Sequence, residues 1–408
     1  MSQTHGGPAR LPKTLLITHF PPTFKNGSIH HIQAVLDRYP GQIIWFSTKS
    51  PAESAAEAGP PGVPYEHGWL PSRPSGPRLR PLRQHFVLGL WARKLGLDAA
   101  AFGRRHGVEL VWAQLSVESV VASRVAARRL GVPLAVSALD DPAVLLDMAT
   151  GYLDWTRRVF RRQLARTVQY ASSHGVISKA MARDYADRHG VDAGVLYVGV
   201  APDERIEPPV RAGKPPQGEA EATCLIGSIG SVISGSNWHL LLEAIDIINR
   251  QLGRTAVSVL HIGILPERFH HPRVEVTGWV SGETMRHHLR RLDLCFLSMW
   301  FEPERAYSAK TAFPTKIRTF LATQRPVLAL GPEDSLAVDF VRGEQLGAVC
   351  TEPDAERLAE SLQALLFDSE RYAAAVSNAS RAAEAYSREQ YFANFESFLG
   401  QAAASAAG

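Results

Sequence analysis

A lysine close behind a proline is the first residue of this chain with a setting for chemistry. Residues 313–331 read FPTKIRTFLATQRPVLALG, and Lys316 stands two positions after Pro314. Phe313, Ile317, Phe320 and Leu321 recur at helical spacing. A proline suits a first helical turn because its missing N–H costs nothing there. Lys316 then falls in that first turn, beside backbone N–H groups that have no helical acceptor, and such a place holds an anion. The apolar run Val327–Leu330, closed by Gly331, reads as a buried strand behind the helix.

Other residue types point away from competing chemistries. His30 and His31, His270 and His271, and His287 and His288 are adjacent pairs. On a helix adjacent side chains point about 100° apart, so none of these pairs makes a good metal site. One of His30 and His31 could face a ligand, or both could sit on a helix surface. There is no HExxH stretch, and the three cysteines, Cys224, Cys295 and Cys350, are far apart. They read as thiols of a reducing compartment, with neither a disulfide framework nor a zinc site. Arg73, Arg78, Arg80, Arg83, Arg93, Lys94, Arg104 and Arg105 face Asp98 alone in residues 73–105, with Phe86, Leu88, Leu90 and Trp91 interleaved, and RRVFRRQLAR follows at 157–166. Basic helices bearing aromatic residues can rest on an anionic membrane. A basic face could equally hold an anionic acceptor or be plainly solvated. No nucleic-acid module is recognisable, so nucleic acid is not an expected partner.

The elements that must position Lys316 come from the hydrophobic pattern. The chain has 408 residues, 45% of them apolar and 21% charged, with a formal net charge of +4. That is an ordinary soluble composition, long enough for about two to three domains. No apolar stretch reaches the ~20 residues of a membrane span, and no signal-peptide core opens the chain, so a cytoplasmic protein is expected, with membrane contact at most at the inner face. Strands are expected at 14–20, 41–48, 108–115, 133–139, 174–178 and 193–199, alternating with helices around 28–38, 84–105, 118–131, 152–171 and 179–190. Residues 1–13 read as a disordered lead, 50–81 as a long loop and 202–221 as a linker rich in Pro, Gly and charge. A second alternating series starts at 222–230 and ends in a helical tail over 370–403. Two such runs mean two doubly wound parallel-sheet α/β domains, with ligands at the carboxyl ends of their strands.

With those elements in order, TGWVSGETMRHHLRRLDLCFLS (277–298) followed by the Lys316 stretch resembles the donor-binding half of GT-B glycosyltransferases, specifically the large retaining group called family 4. CLIGSIGS (224–231) is similar to the first strand and loop of that half. YASSHGVISKAMARDY (170–185) and LYVGVAPDER (196–205) resemble the end of the acceptor half, and YSREQYFANFESFL (386–399) is similar to the helix that crosses back to the first domain. The resemblance implies two Rossmann-like domains facing a cleft: an acceptor-side domain over 14–203, a nucleotide-sugar domain over 204–385 and a returning helix over 386–403. It implies transfer of a sugar from a nucleotide sugar, with UDP favoured over GDP, to a hydroxyl of a glycan, lipid-linked or small-molecule acceptor. Configuration is retained, and no metal or other cofactor takes part.

The residues can be read against that chemistry. A departing nucleoside diphosphate gathers negative charge, and without a metal it needs cations and helix N-termini. Lys316, with Pro314 and Thr315 ahead of it, fits this need. Gly227, Ser228 and Gly230 would let backbone amides approach phosphate oxygens, and Asn26, Gly27 and Ser28 could bring the first domain to the donor. His30 and His31 would lie on the acceptor side. The family carries two glutamates where this chain has Thr311 and Thr319, and Thr319 would contact the ribose with one hydroxyl in place of a two-oxygen charged acceptor. Glu302 and Glu304 lie upstream, and VISGSNWH (232–239) lacks the basic residue expected there, a place Arg305 or Lys310 could take. Asp140 could orient hydroxyl groups, or the Asp140-Asp141-Pro142 run could simply open a helix. A GT-B-shaped binding partner without turnover is the alternative function that the missing glutamates suggest. A GT-B epimerase would need acidic and histidine groups that the motif region lacks, and a Rossmann dehydrogenase would need GxGxxG after a first strand.

Overall fold

The computed structural model describes residues 11–22, 27–48, 60–68, 86–149, 152–207 and 223–405. Asn26, Arg73, Arg78, Arg80, Arg83 and most of the expected lead, long loop and linker lie outside them, as do the side chains of Gly27, Ser28 and His30. The chain divides into two units. Unit 1 is Met1–Tyr197 with Tyr391–Gly408, and unit 2 is Val198–Gln390. Each is built on one sheet whose described pairings are all parallel.

Unit 1 carries seven strands in the order β3-β2-β1-β4-β5-β6-β7. They are β1 (Thr14–Thr18), β2 (Ile43–Ser47), β3 (Tyr65–His67), β4 (Leu110–Gln114), β5 (Leu134–Ala138), β6 (Ser173–Val176) and β7 (Gly194–Val195). The unbroken apolar character of TLLIT, IIWFS and LVWAQ follows from burial on both faces, and every residue of these strands is buried. Two short elements escape the periodicity. β3 lies inside the stretch read as loop, and the seven-residue helix α4 (Pro142–Met148) is too short to show a period. Earlier helices are α1 (Gly27–Arg38), α2 (Ala92–Arg105), entered through a π-helical turn at Val87–Trp91, and α3 (Ser119–Leu130). Then come α5 (Asp154–Tyr170) and α6 (Lys179–His189).

Unit 2 carries six strands in the order β10-β9-β8-β11-β12-β13. They are β8 (Cys224–Ile229), β9 (Val257–Ile262), β10 (Val274–Val276), β11 (Leu294–Ser298), β12 (Val327–Leu330) and β13 (Gly347–Cys350). Helices α7 (Gly235–Gln251), α8 (Gly282–Arg290), α9 (Ala306–Thr311), α10 (Lys316–Thr323), α11 (Leu336–Gly343) and α12 (Ala355–Leu366) connect them. The expected helical tail is two helices, α13 (Ser369–Ala385) and α14 (Arg388–Ala404). From Tyr391 onward α14 belongs to unit 1. There Tyr391, Phe395, Phe398 and Leu399 are buried, Phe395 meets the Trp112 ring edge-on, and Tyr39 donates to Glu396.

The segments entering and leaving unit 2 pair with each other. Val200 N–H donates to Tyr386 O at 2.9 Å, and Arg388 N–H donates to Val200 O at 3.0 Å. Gly199 lies so close to this ladder that a Cβ there would collide with the carbonyl oxygens of Tyr386 and Ser387. Gly131, the left-handed cap of α3 at φ 71°, has nothing within 4 Å of where its Cβ would be. Gly199→Ala should therefore cost more stability, about 2–3 kcal/mol from overpacking against backbone, than the ~1 kcal/mol of Gly131→Ala. Urea unfolding of both variants checks the order. Equal losses would mean that the Gly199 contact relaxes freely.

Candidate functional site

Open parallel sheets take ligands beside the strands where their order reverses, at the carboxyl ends. In unit 2 that place lies between β8 and β11. The chain leaves β8 through Gly230 and Ser231, and it leaves β11 through Met299 and Trp300. Gly230 adopts φ 74°, which a glycine reaches without strain. Trp300 Nε1 donates to Ile233 O at 2.8 Å and Asn237 Nδ2 donates to Met299 O at 2.6 Å, tying the two exits together.

Lys316 reaches this turn from α10. It is the first residue of the helix, behind Thr315, whose side chain makes no capping bond. Its Nζ donates to Ser231 O at 3.1 Å. The side chain is partly buried, and among the described residues it has no carboxylate partner. Burial pushes its ammonium down from 10.5 to about 8. An ammonium held by one carbonyl, at the first turn of a helix, has the makings of an anion site.

Next to the lysine lies a residue that the sequence reading passed over. His261, near the end of β9, is fully buried, with Nδ1 3.2 Å from Ser228 Oγ and its ring edge-on to Trp238. Burial pushes it down to about 4, with the Lys316 charge acting the same way, so the imidazole is neutral near neutral pH. Gly263 follows, and a Cβ there would come within 3.0 Å of Gly230 O, so the exits of β8 and β9 touch. Gly263 also bridges Gly278, and the flanking Ile264 and Trp279 are 73% and 63% exposed. The result is an apolar, partly aromatic ledge beside a polar turn and a cation. A histidine interrupting an apolar strand and a tryptophan after a turn glycine were the available sequence signals.

The other predicted residues divide. Gly230 stands at the turn and Ser228 beneath it. Gly227 lies inside β8, where a Cβ would collide with the Leu292 side chain, so its smallness serves core packing. Pro314 accepts the Ile317 N–H at 2.9 Å, opening the helix as expected. Thr319 is partly buried on α10, and no hydrogen bond of its hydroxyl is found among the described residues. Thr311 is buried and donates to Tyr307 O on its own helix at 2.8 Å. Glu302 accepts a long 3.4 Å bond from Ser236, and Glu304 is exposed. Lys310 pairs with Asp334 at 3.7 Å and Arg305 lies over the Trp300 ring, so both have partners of their own.

In unit 1, Asp141 and not Asp140 caps α4. Asp141 accepts from Ala143 and Val144 N–H and pairs with Arg188 at 2.5 Å. That leaves Asp140 exposed two residues beyond the end of β5. His31 is buried against Trp112 and Tyr391, with Nε2 3.3 Å from Tyr391 OH, and burial pushes it down to about 4. That placement makes it a packing residue of unit 1 and removes it from the acceptor-side set. Among the described residues no three His, Cys, Asp or Glu side chains gather as a metal site.

Residues 223–368 match the sequence pattern of glycosyl transferases group 1. No curated protein matches the chain by sequence. Several solved structures match nearly its whole length. HepE of Anabaena, solved with UDP and glucose, is 16% identical with a TM-score of 0.67, over 95% of this chain and 99% of that one. An α,α-trehalose-phosphate synthase of Burkholderia xenovorans, in complex with glucose-6-phosphate, is 12% identical with a TM-score of 0.65, over 95% and 100%. The sucrose-phosphate synthase of Thermosynechococcus elongatus is 14% identical with a TM-score of 0.65, over 96% and 100%. The chain thus has the GT-B glycosyltransferase fold, and its second unit carries the group 1 glycosyl transferase pattern.

Proposed function

We propose that this protein is a retaining glycosyltransferase that takes a sugar from a UDP-sugar to an acceptor hydroxyl, using protein groups in place of a metal. The observation that carries the reading is Lys316, a partly buried ammonium without a carboxylate partner among the described residues, placed at the strand reversal of the group 1 unit. The relatives solved with UDP or UDP-glucose favour uridine over guanosine. As the bond between the anomeric carbon and the β-phosphate oxygen breaks, Lys316 neutralises the charge on the departing diphosphate. The acceptor oxygen bonds to the same face of that carbon, and its proton passes to the departing phosphate oxygen. No side-chain nucleophile is needed. Asp140 orients acceptor or donor hydroxyls, and Thr319 contacts the ribose. Trp279 and Ile264 offer the ledge for the base. The acceptor is a glycan, a lipid-linked sugar or a small molecule, and the site of action is the cytoplasm, where the three cysteines stay as thiols.

The pH dependence follows from the sign of the lysine shift. Lys316 binds its proton less tightly folded than unfolded, so without ligand the fold gains stability as pH rises from about 8 towards 10.5. Diphosphate binding needs the protonated form and runs the other way. Calorimetric titration with UDP should show affinity falling about tenfold from pH 7 to pH 9. Lys316→Ala should weaken UDP binding and abolish sugar transfer, with its residual binding insensitive to pH over this range. A variant that turns over like the parent, or a parent whose affinity ignores pH, removes Lys316 from the site. Binding of a nucleotide sugar with no transfer or hydrolysis would instead leave a GT-B-shaped binding protein.

A stacked base contributes about 1–3 kcal/mol. Trp279→Ala should therefore weaken UDP binding roughly 5- to 150-fold and leave pyrophosphate binding unchanged. Equal losses for both ligands would mean that the tryptophan supports the turn and does not hold the base.

A further inference from the structure

Unit 1 has a strand reversal of its own, between β1 and β4, and Gln114 is the last residue of β4. Three amide side chains are buried among the described residues: Gln114, Asn237 and Asn249. Asn249 accepts from Ala256 and Val257 N–H and donates to Val257 O. Asn237 donates to Met299 O. Gln114, 4% exposed, makes no side-chain hydrogen bond among the described residues, and its Oε1 is shut from solvent without a partner. The polar groups around it are committed elsewhere. Trp112 Nε1 donates to Ser137 Oγ, opposite Gln114 on β5, and Trp45 Nε1 donates to Thr18 Oγ1 at the end of β1. In the turn after β4, Ser119 Oγ donates to the Gln114 backbone carbonyl at 2.8 Å and accepts from Ser116 N–H, so the turn closes on itself without the amide. A buried amide left unbonded costs stability unless a ligand or a water completes it.

The place and the chemistry of this amide say what completes it. Side chains alternate along a strand, so Gln114 shares a sheet face with Trp112, whose ring meets His31 of α1, and lies two residues nearer the carboxyl end. Open parallel sheets take ligands at the carboxyl ends beside a strand reversal. Ser173 Oγ is also buried and unbonded, but Ser173 opens β6 at the amino end of the sheet. An amide offers an acceptor oxygen and N–H donors side by side. A carboxylate or phosphate brings acceptors alone and would set an oxygen against Oε1. An isolated alcohol has one oxygen for the two halves of the amide. Two hydroxyl groups on adjacent ring carbons satisfy both halves, one donating to Oε1 and the other accepting from Nε2. Asp140 lies beyond the end of β5, the strand next to β4, and its carboxylate can accept from a further hydroxyl.

We propose that Gln114 is a specificity-determining residue of the acceptor site: its amide holds two adjacent hydroxyl groups of a sugar-like ring, so unit 1 takes a ring polyol and not a lone alcohol or an acid. The ring's role as acceptor rests on the proposed function; its binding does not, and is read without a donor. Saturation-transfer NMR on the full chain, free of nucleotide, tests the binding with glucose, galactose, mannose, xylose and myo-inositol. Cyclohexanol and lactate are the controls. At least one of the five polyols should bind, and neither control should. Gln114→Met keeps the length of the side chain and removes both halves of the amide, and should weaken that binding about tenfold. Its melting temperature should be at or above the parent's, because it removes an unbonded buried amide, and its UDP affinity should equal the parent's. Gln114→Asn, which draws the amide back by one carbon, should weaken polyol binding as well, and carries the test if the Met variant does not fold. Ser173→Ala should leave it unchanged. A parent that binds none of the five polyols, or binds cyclohexanol as well as any of them, would overturn the proposal. So would a folded Met variant that binds polyol like the parent; if it also melts lower, the amide is a packing group completed by buried water. Lactate binding that is lost with Gln114 would overturn it in favour of an acid site. Polyol binding that depends on Gln114, in a chain that binds no UDP, would uphold the ring site and overturn the donor reading.

Discussion

One carboxylate holds the frame on which the Lys316 site rests. Glu204 lies just after the chain enters unit 2 and accepts from Arg318, from Arg388 at 2.5 Å and from Ala201 N–H at 3.0 Å. Arg318 also donates to Gly199 O at 3.1 Å. Burial pushes the Glu204 carboxyl up, and the two arginines with the backbone N–H outweigh it, leaving it below its usual range. Arg318 is two residues beyond Lys316 on the same helix. The group that anchors the incoming and outgoing segments therefore also fixes the start of α10. A partly buried ion triad contributes more to uniqueness of position than to net stability, because desolvation offsets much of its attraction. Position is what an anion site at a helix start requires.

The same economy of charge explains the neighbourhood of Lys316. A second cation beside it would repel it, and His261 is kept neutral by its burial. With Ser228 beside Nδ1, the histidine acts as a polar core residue under the turn. The lysine keeps its own proton up to about pH 8 although its surroundings disfavour charge. On the proposed function an incoming diphosphate would relieve that cost, so binding and charge stabilisation at this site would be one electrostatic event.

Much of the fold was legible because parallel strands buried on both faces leave long apolar runs, and β1, β2, β4 and β5 were read that way. What escaped was short or decided by tertiary contact: β3, α4, α9, α11 and the break between α13 and α14. At the site, Lys316, Pro314 and Gly230 were readable because a helix start and a left-handed turn have local chemical requirements. Gly227 and His31 misled for one shared reason. Sequence shows that a residue is small or titratable but not which side of a strand or helix it occupies, and both turned to the core. His261 was missed because it belongs to no local motif, and Trp279, inside the TGWVSGETM stretch, because nothing local marks its ring as exposed. They come near the turn only when β9 pairs with β8 and the residues after β10 bridge to Gly263 after β9. Asp140 and Asp141 could not be ranked until the cap was seen to fall on the second.

The threonines at 311 and 319 bear on how such a site can still select a nucleotide. Thr311 is buried and donates its hydroxyl to its own helix, which leaves Thr319 as the better placed of the two to meet a ligand. A single neutral hydroxyl contributes less than a carboxylate accepting two bonds, roughly half as much per bond. On the proposed function, recognition would rest more on the two ends of the nucleotide than on its ribose. At one end stands the Lys316 ammonium with the Gly230–Ser231 turn, and at the other the exposed ring of Trp279 beside Ile264. An electrostatic contact at the diphosphate and a stacking contact at the base are both tolerant of the sugar between them. On the proposed function the absent acids would loosen selection at the ribose and leave Lys316 to carry the leaving charge.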